Sequence, residues 1–267
     1  MSIVHNGDCL KIMPKLKDKS VNMILCDLPY GTTACTWDAI IPFDKLWKQY
    51  ERLIKDNGCI ALFGQEPFSS HLRMSNLKLY KYDWIWIKSR ACGFYNVKHR
   101  PMNSHELISI FSKATTRSNS EGTMKFYPQG LKKLDKVVSG IKDCQADRAG
   151  HKFSRLANKA KYIQKYTNYP TKILKFSNVP SPVHPTQKPI SLLEYLIRTY
   201  TEVDDTVLDN TMGSGSTGVA SVNLNRRFIG IEKDKTYYKI AQDRLKLASK
   251  NKEINKNKFL EELNLEG

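Results

Sequence analysis

The chain has 267 residues, enough for one α/β domain or one domain carrying a sizeable insertion, and too few for two large independent domains. Lysine and arginine number 43 against 26 aspartates and glutamates, a formal charge of +17 that points to a polyanionic partner. Hydrophobic residues make up 40%, sufficient for a core, and no apolar run is long enough for a transmembrane helix.

The opening MSIVHNGDCL lacks a basic segment leading into an apolar stretch, so no secretory signal is expected. Residues 21–26 (VNMILC) are apolar and bounded by polar neighbours, the pattern of a strand buried on both faces. Residues 43–55 carry Phe43, Leu46, Trp47, Tyr50, Leu53 and Ile54 at helical spacing, and 58–64 (GCIALFG) form a second buried strand. Residues 82–87 and 106–111 read as two more strands. Such alternation predicts an α/β fold with a mostly parallel sheet and helices on both faces. Six scattered cysteines, Cys9, Cys26, Cys35, Cys59, Cys92 and Cys144, have no zinc-type spacing and are expected to be reduced thiols of a cytoplasmic protein.

From about 113 to 182 the apolar periodicity is lost, and Lys and Arg are interleaved with Phe126, Tyr127, Phe153, Tyr162, Tyr166, Tyr169 and Phe176. That mixture suits a surface that tracks phosphates and stacks on bases; equally, the aromatics could close a small satellite core. The α/β texture then returns, with a helix over 191–200, a strand from 206 to 208, a helix over 216–224, a strand over 227–231 and a helix over 234–248. The tail, 249–267, reads as a frayed helix or a disordered end.

Three clusters carry chemistry. Val207 to Gly218 (VLDNTMGSGSTG) is a strand running into a glycine turn and a helix, where backbone comes close to a ligand and free N–H groups face it. Glu232 ends the next strand about 20 residues on, where an acid accepts from ribose hydroxyls. Gly213, Gly215 and Gly218 also satisfy the dinucleotide spacing, which keeps NAD in view. However, Asp209 just before the turn would repel a pyrophosphate and pair with a cationic amino acid, favouring S-adenosylmethionine. In the second cluster, Asp27-Leu28-Pro29-Tyr30, which follows a buried strand, a carboxylate and the Leu28 carbonyl can hold the two hydrogens of an exocyclic amine while Tyr30 stacks on the ring. The third, His184-Pro185-Thr186-Gln187-Lys188-Pro189, reads by itself as a proline-bounded loop capping a helix.

Together with Asn6-Gly7-Asp8-Cys9-Leu10, these clusters resemble the signatures of amino-group DNA methyltransferases. Their order, target-amine motif first and cofactor turn last, is similar to the permuted beta group of N6-adenine and N4-cytosine enzymes, over about residues 3–245. The resemblance implies a class I S-adenosylmethionine-dependent methyltransferase fold, a seven-stranded, mostly parallel sheet with one antiparallel strand. It places Asp27, Leu28, Pro29 and Tyr30 at the target amine and Asp8 and Cys9 near the cofactor's adenine. Asp209, Gly213 and Gly215 fall near its methionine part and Glu232 at its ribose, Asp27, Thr211, Ser214 and Ser216 also fall at the cofactor, and the segment 184–188, with His184, Thr186 and Lys188, closes over the methionine end. The domains expected are 1–112 (target-amine half), 113–182 (target-recognition insertion), 183–248 (cofactor half) and 249–267 (charged tail).

This chain departs from the family twice: Leu28 stands where a proline is usual, and Asn210-Thr211 where Pro-Phe is usual. The first leaves the needed carbonyl in place; the second removes an aromatic and is expected to alter cofactor affinity. Asp27 in place of a serine favours adenine. The function expected is a site-specific methyltransferase acting on adenine N6 of a flipped base in double-stranded DNA, with a homodimer implied by the resemblance. N4-cytosine methylation, RNA methylation, and a non-catalytic DNA-binding protein or an NAD-linked oxidoreductase are the alternatives.

Overall fold

The structure, a computed structural model, describes residues 2–31, 39–117, 121–139, 161–184 and 187–265. Cys35, Cys144, Phe153 and Thr186 fall outside them. The chain forms two compact units, Met1–Tyr127 with Lys172–Gly267, and Pro128–Thr171. The smaller unit is narrower than the 113–182 span drawn from composition, because both flanks pack into the larger one. Met124 and Leu174 are buried there, and Phe126 stacks on Trp84 with ring centroids 6.5 Å apart.

The larger unit opens with β1 (Ser2–Asn6), a short helix α1 (Cys9–Ile12), β2 (Val21–Asp27), α2 (Phe43–Leu53), β3 (Ile54–Gly64), α3 (Phe68–Ser75), β4 (Tyr80–Cys92) and β5 (Asn103–Phe111). The smaller unit holds β6 (Lys132–Ser139) and β7 (Lys161–Thr167), an antiparallel pair. The chain returns with β8 (Ile173–Phe176), α4 (Ile190–Tyr200), β9 (Thr206–Asp209), α5 (Ser216–Asn223), β10 (Arg227–Glu232) and the long α6 (Lys235–Leu265). The expected frayed tail is therefore helical through Leu265. Helix α2 stops at Leu53, short of Lys55, because Ile54 is already extended and pairs with Val21.

Among the described residues eight strands make one sheet in the order β1-β10-β9-β2-β3-β5-β4-β8. Within it β5 runs antiparallel to both β3 and β4, and the other pairings are parallel. The expected seven strands are corrected to eight. The additional one, β8, comes from the basic segment and covers the open edge of β4, with Ile173 opposite Ile85.

The strands alternate between two cores. Met23, Leu25, Cys59, Ala61 and Phe63 pack with Leu193, Leu196, Val219, Ala220 and Leu245 of α4, α5 and α6. Ile24, Cys26, Ile60 and Leu62 pack with Leu46, Tyr50, Leu53 and Leu72 of α2 and α3. Each fully buried Leu, Ile, Phe or Met among them contributes roughly 1.5–3 kcal/mol. Strands β2 and β9 are neighbours, Ile24 beside Leu208, yet the helices that follow them lie on opposite faces. A crevice therefore opens beyond their carboxyl ends, the position where open α/β sheets bind ligands.

Candidate active site

Asp27, Asp209 and Glu232 each end a strand, and those strands, β2, β9 and β10, are adjacent in the sheet. All three acids line one cavity of about 700 Å³. Leu28, Pro29 and Tyr30 join it directly after Asp27; Asp8 and Cys9 enter from the start of α1. The β9–α5 turn adds Thr211, Gly213, Ser214 and Ser216, and His184 and Lys188 come from the segment before α4. Of the other expected residues, Thr186 is outside the described residues and Gly215 does not line the cavity.

Asp27 is held on both oxygens. The Tyr30 hydroxyl donates to Oδ1 at 2.6 Å, and Lys188 Nζ donates to Oδ2 at 2.6 Å. Lys188 is buried, and its ammonium also lies 3.3 Å from Glu106 Oε2; Glu106 is in turn paired with Lys88 at 2.7 Å. Burial pulls the Lys188 ammonium down, but Asp27 and Glu106 outweigh it and hold it above the ordinary lysine range. Burial likewise works against ionised Glu106, and the two lysines overcome it. The group of Asp27, Lys188, Glu106 and Lys88 is formally neutral, which makes its burial affordable. Glu106 and Lys88 escape a reading of the sequence as site residues; the available signal was an acid inside the apolar strand HELISIF.

The glycine turn divides its labour. Gly213 has φ +51° and its N–H donates to Glu232 Oε2 at 2.8 Å; the His184 ring sits where a Cβ would meet it at 3.5 Å. Gly215 has φ +78°, and a Cβ there would stand 2.9 Å from the Ala241 Cβ, so this glycine serves the approach of α6. Glu232 Oε1 takes the Asp234 N–H at 2.8 Å, and burial raises its carboxyl above the usual range. Asp209 is buried, and desolvation pushes it up to about 7. Asp8 caps α1 by accepting from the Leu10 N–H at 2.8 Å.

The two unusual residues after Asp209 are tied into the site. Asn210 Oδ1 accepts from the Tyr50 hydroxyl at 2.5 Å and from the Cys26 thiol at 2.9 Å, and the Thr211 hydroxyl donates to the Asp27 carbonyl at 3.1 Å. Asn210 Nδ2 is buried with no hydrogen-bond partner among the described residues.

The cavity wall is acidic although the chain is basic: Asp8, Asp27, Asp209, Glu232 and Asp234 face it against Lys188 and Lys233. Such a wall repels a pyrophosphate and suits a nucleoside bearing cationic groups.

Residues 21–243 match the family model described as DNA methylase, of the N6/N4 type. The chain belongs to the N6/N4 DNA methylase family. This DNA methylase is 26% identical to the type II methyltransferase M2.LlaDCHI of Lactococcus lactis subsp. cremoris over 270 residues, covering 91% of this chain and 89% of that one. It is similarly 26% identical to M2.DpnII of Streptococcus pneumoniae, over 92% of this chain and 89% of that one. Among solved structures it resembles an M1.HpyAVI–SAM complex, with a TM-score of 0.61 at 24% identity over 92% of this chain and all of that one. It also resembles the cytosine-N4-specific PvuII DNA methyltransferase, with a TM-score of 0.63 at 16% identity over 91% of this chain and 86% of that one.

As a member of this family the methylase transfers methyl groups to DNA from S-adenosylmethionine. Its cavity fits that cofactor in volume, in the acids ending β9 and β10, and in a left-handed glycine where backbone must come close. The aromatics of the basic segment split between the two readings. Phe176 packs on Tyr195 and Phe126 lays one side on Trp84 while remaining exposed, and Tyr166 and Tyr169 are exposed. Among the described residues no helix is long and apolar enough to cross a membrane.

Proposed function

We propose that the methylase acts at adenine N6, on a base rotated out of duplex DNA at a specific sequence, and that Asp27, Leu28, Pro29 and Tyr30 form the target-amine site. The observation that carries this reading is Asp27: an acceptor-only carboxylate, ending β2, held on both oxygens in the cavity that Asp209 and Glu232 also line.

When bound, S-adenosylmethionine supplies an electrophilic methyl group on a sulfonium. The chain's own part is to make the amine a nucleophile. An adenine amino group is conjugated with its ring and weakly nucleophilic; Asp27 and the Leu28 carbonyl, accepting its two hydrogens, localise the lone pair on nitrogen. Asp27 is also the base placed to take the proton that the amine would give up on being methylated. Tyr30, whose ring stacks on Phe68 at 4.8 Å, offers an aromatic wall for the base. Lys188, held by Glu106, orients the Asp27 carboxylate.

Asp209, Gly213 and Ser214 are proposed to take the methionine part of the cofactor, Glu232 its ribose, and Asp8 and Cys9 the side of its adenine, with His184 and Lys188 at the methionine end. The segment 113–182, with the exposed lysines and Tyr166 of the β6–β7 pair, is proposed to recognise the target: cations giving affinity through phosphates, polar side chains reading base edges. A homodimer, on the resemblance alone, and a cytoplasmic location, where free Cys9, Cys26 and Cys59 stay reduced, complete the proposal.

The test is label transfer from S-adenosylmethionine to unmethylated duplex DNA and to structured RNA at matched salt, with Asp27→Ala alongside. The reading expects label on DNA, almost none on RNA, and none from the variant, which still binds cofactor. Equal labelling by Asp27→Ala, or labelling of RNA alone, contradicts it.

A further inference from the structure

Strands β4 and β5 outrun the rest of the sheet. β3 ends at Gly64, opposite Leu107, and Leu107 lies opposite Ile85, but the β4–β5 pairing continues to Cys92 opposite Asn103. Four more residues of β5 therefore project past the end of β3, roughly 13 Å at strand rise. Asp27 lies beside Phe63, one residue before Gly64, so the hairpin rises from the edge that holds the target-amine site. Its stem is joined to that site by contact: Lys88 pairs with Glu106, Glu106 with Lys188, and Lys188 with Asp27.

The hairpin tip is a formed turn. Gly93 has φ +94°, a single 3₁₀ turn covers Phe94–Asn96, and the Asn96 carbonyl accepts from both His99 and Arg100. It presents its aromatics outward, with Phe94 72% exposed and Tyr95 wholly so. Between Asp83 and Glu106 the sequence has no acid but carries Lys88, Arg90, Lys98 and Arg100. Two exposed rings on a braced turn, flanked only by cations and standing at the catalytic edge, match a duplex whose stack has been opened.

We propose that this β4–β5 hairpin is a DNA wedge: Phe94 and Tyr95 enter the duplex where the target base leaves it, while Arg90, Lys98 and Arg100 hold the flanking phosphates. An aromatic filling the vacated space stabilises the rotated state without reading sequence. The inference rests on the proposed base rotation and adds the element that sustains it, separate from the segment 113–182.

The test uses the full chain and a duplex containing its methylated sequence, found beforehand by mapping modified positions in genomic DNA, with 2-aminopurine at the target position. The parent should give a strong fluorescence rise. The Phe94→Ala, Tyr95→Ala double variant should lose most of that rise, and its kcat/KM on the paired duplex should fall by at least about tenfold, with S-adenosylmethionine binding unchanged. Placing an abasic site opposite the target removes the pairing that must be broken, and the variant should then come within about threefold of the parent. Replacing Arg90, Lys98 and Arg100 by alanine should lower the salt slope of duplex binding by about 2–3. A double variant that matches the parent on paired duplex, or whose deficit persists unchanged opposite the abasic site, overturns the wedge while leaving base rotation standing. A parent that methylates DNA without any fluorescence rise overturns base rotation and the wedge together.

Discussion

Lys188 Nζ lies 2.6 Å from Asp27 Oδ2, joining two segments 161 positions apart in the chain. The pair links the loop before α4 to the end of β2, and Glu106 extends it to β5. The end of β2, the loop before α4 and β5 are thus one electrostatic unit.

Lys188→Met should break that unit. Among the described residues it leaves buried Glu106 with Lys88 as its only cation and half-buried Asp27 with the Tyr30 hydroxyl as its remaining side-chain donor. Removing one member of a buried ion pair costs about 3–5 kcal/mol, so urea unfolding should show a loss of that order. Methyl transfer should fall by about 100-fold or more, since the carboxylate is no longer held in place. A variant as stable and as active as the parent would show that Lys188 does not orient Asp27.

Asp209 gives a pH dependence with a defined sign. Burial raises it from 3.8 to about 7, so the folded state keeps a proton that the unfolded state releases. Its contribution to stability therefore falls as pH rises through that window, by up to roughly 4 kcal/mol, and levels off above the folded value. Asp209→Asn should be more stable than the parent by a margin that grows from about pH 4 to about pH 7 and is then constant, as read by denaturant titrations. Cofactor affinity should strengthen in the parent over the same rise and stay flat in the variant.

Two glycines, Gly213 of the β9–α5 turn and Gly218 of helix α5, should respond differently to alanine. At Gly218 a Cβ would meet Phe228 at 2.6 Å and Leu245 at 2.7 Å, so Gly218→Ala should cost about 1–3 kcal/mol while leaving cofactor affinity intact in the folded protein. At Gly213 the neighbouring His184 contact is an ordinary 3.5 Å, and the constraint is φ +51° beside the cavity. Gly213→Ala should weaken S-adenosylmethionine binding more than it lowers stability. Calorimetric titration and thermal unfolding of the two variants distinguish these roles.

Asn210→Pro installs the family's usual residue and should still be destabilising. The buried Tyr50 hydroxyl loses its acceptor, at about 1–3 kcal/mol, and the Cys26 thiol keeps only the Leu208 carbonyl at 3.8 Å. Adding Tyr50→Phe removes the stranded hydroxyl and should recover part of the loss. Additive effects in that double-mutant cycle would mean the two residues do not depend on each other.

Much of the fold was legible because β2, β3, β9 and β10 are buried and read as apolar runs, with Asp27, Asp209 and Glu232 marking where they end. β1 was missed, since Ser2–Asn6 is partly exposed and mixed in character. β8 was missed because Leu174 is its one buried residue, set among the lysines of a basic segment. Asp27, Asp209 and Glu232 were found from local pattern and Asp8 through the resemblance, whereas Asp234 was not singled out. Glu106 and Lys88 were not, because their role arises from pairing between strands, Trp86 opposite Glu106, which spacing along the chain does not reveal. For Asn210, the sequence showed a proline lost, while the compensating hydroxyl stands on α2, 160 residues away.

The most direct measurement is nucleoside mass spectrometry of unmethylated bacterial duplex DNA after incubation with the purified methylase and labelled S-adenosylmethionine. The account predicts labelled N6-methyldeoxyadenosine that disappears with Asp27→Ala. Labelled N4-methyldeoxycytidine in its place would contradict the assignment of the target base, and no label in DNA despite bound cofactor would contradict the target-amine site itself.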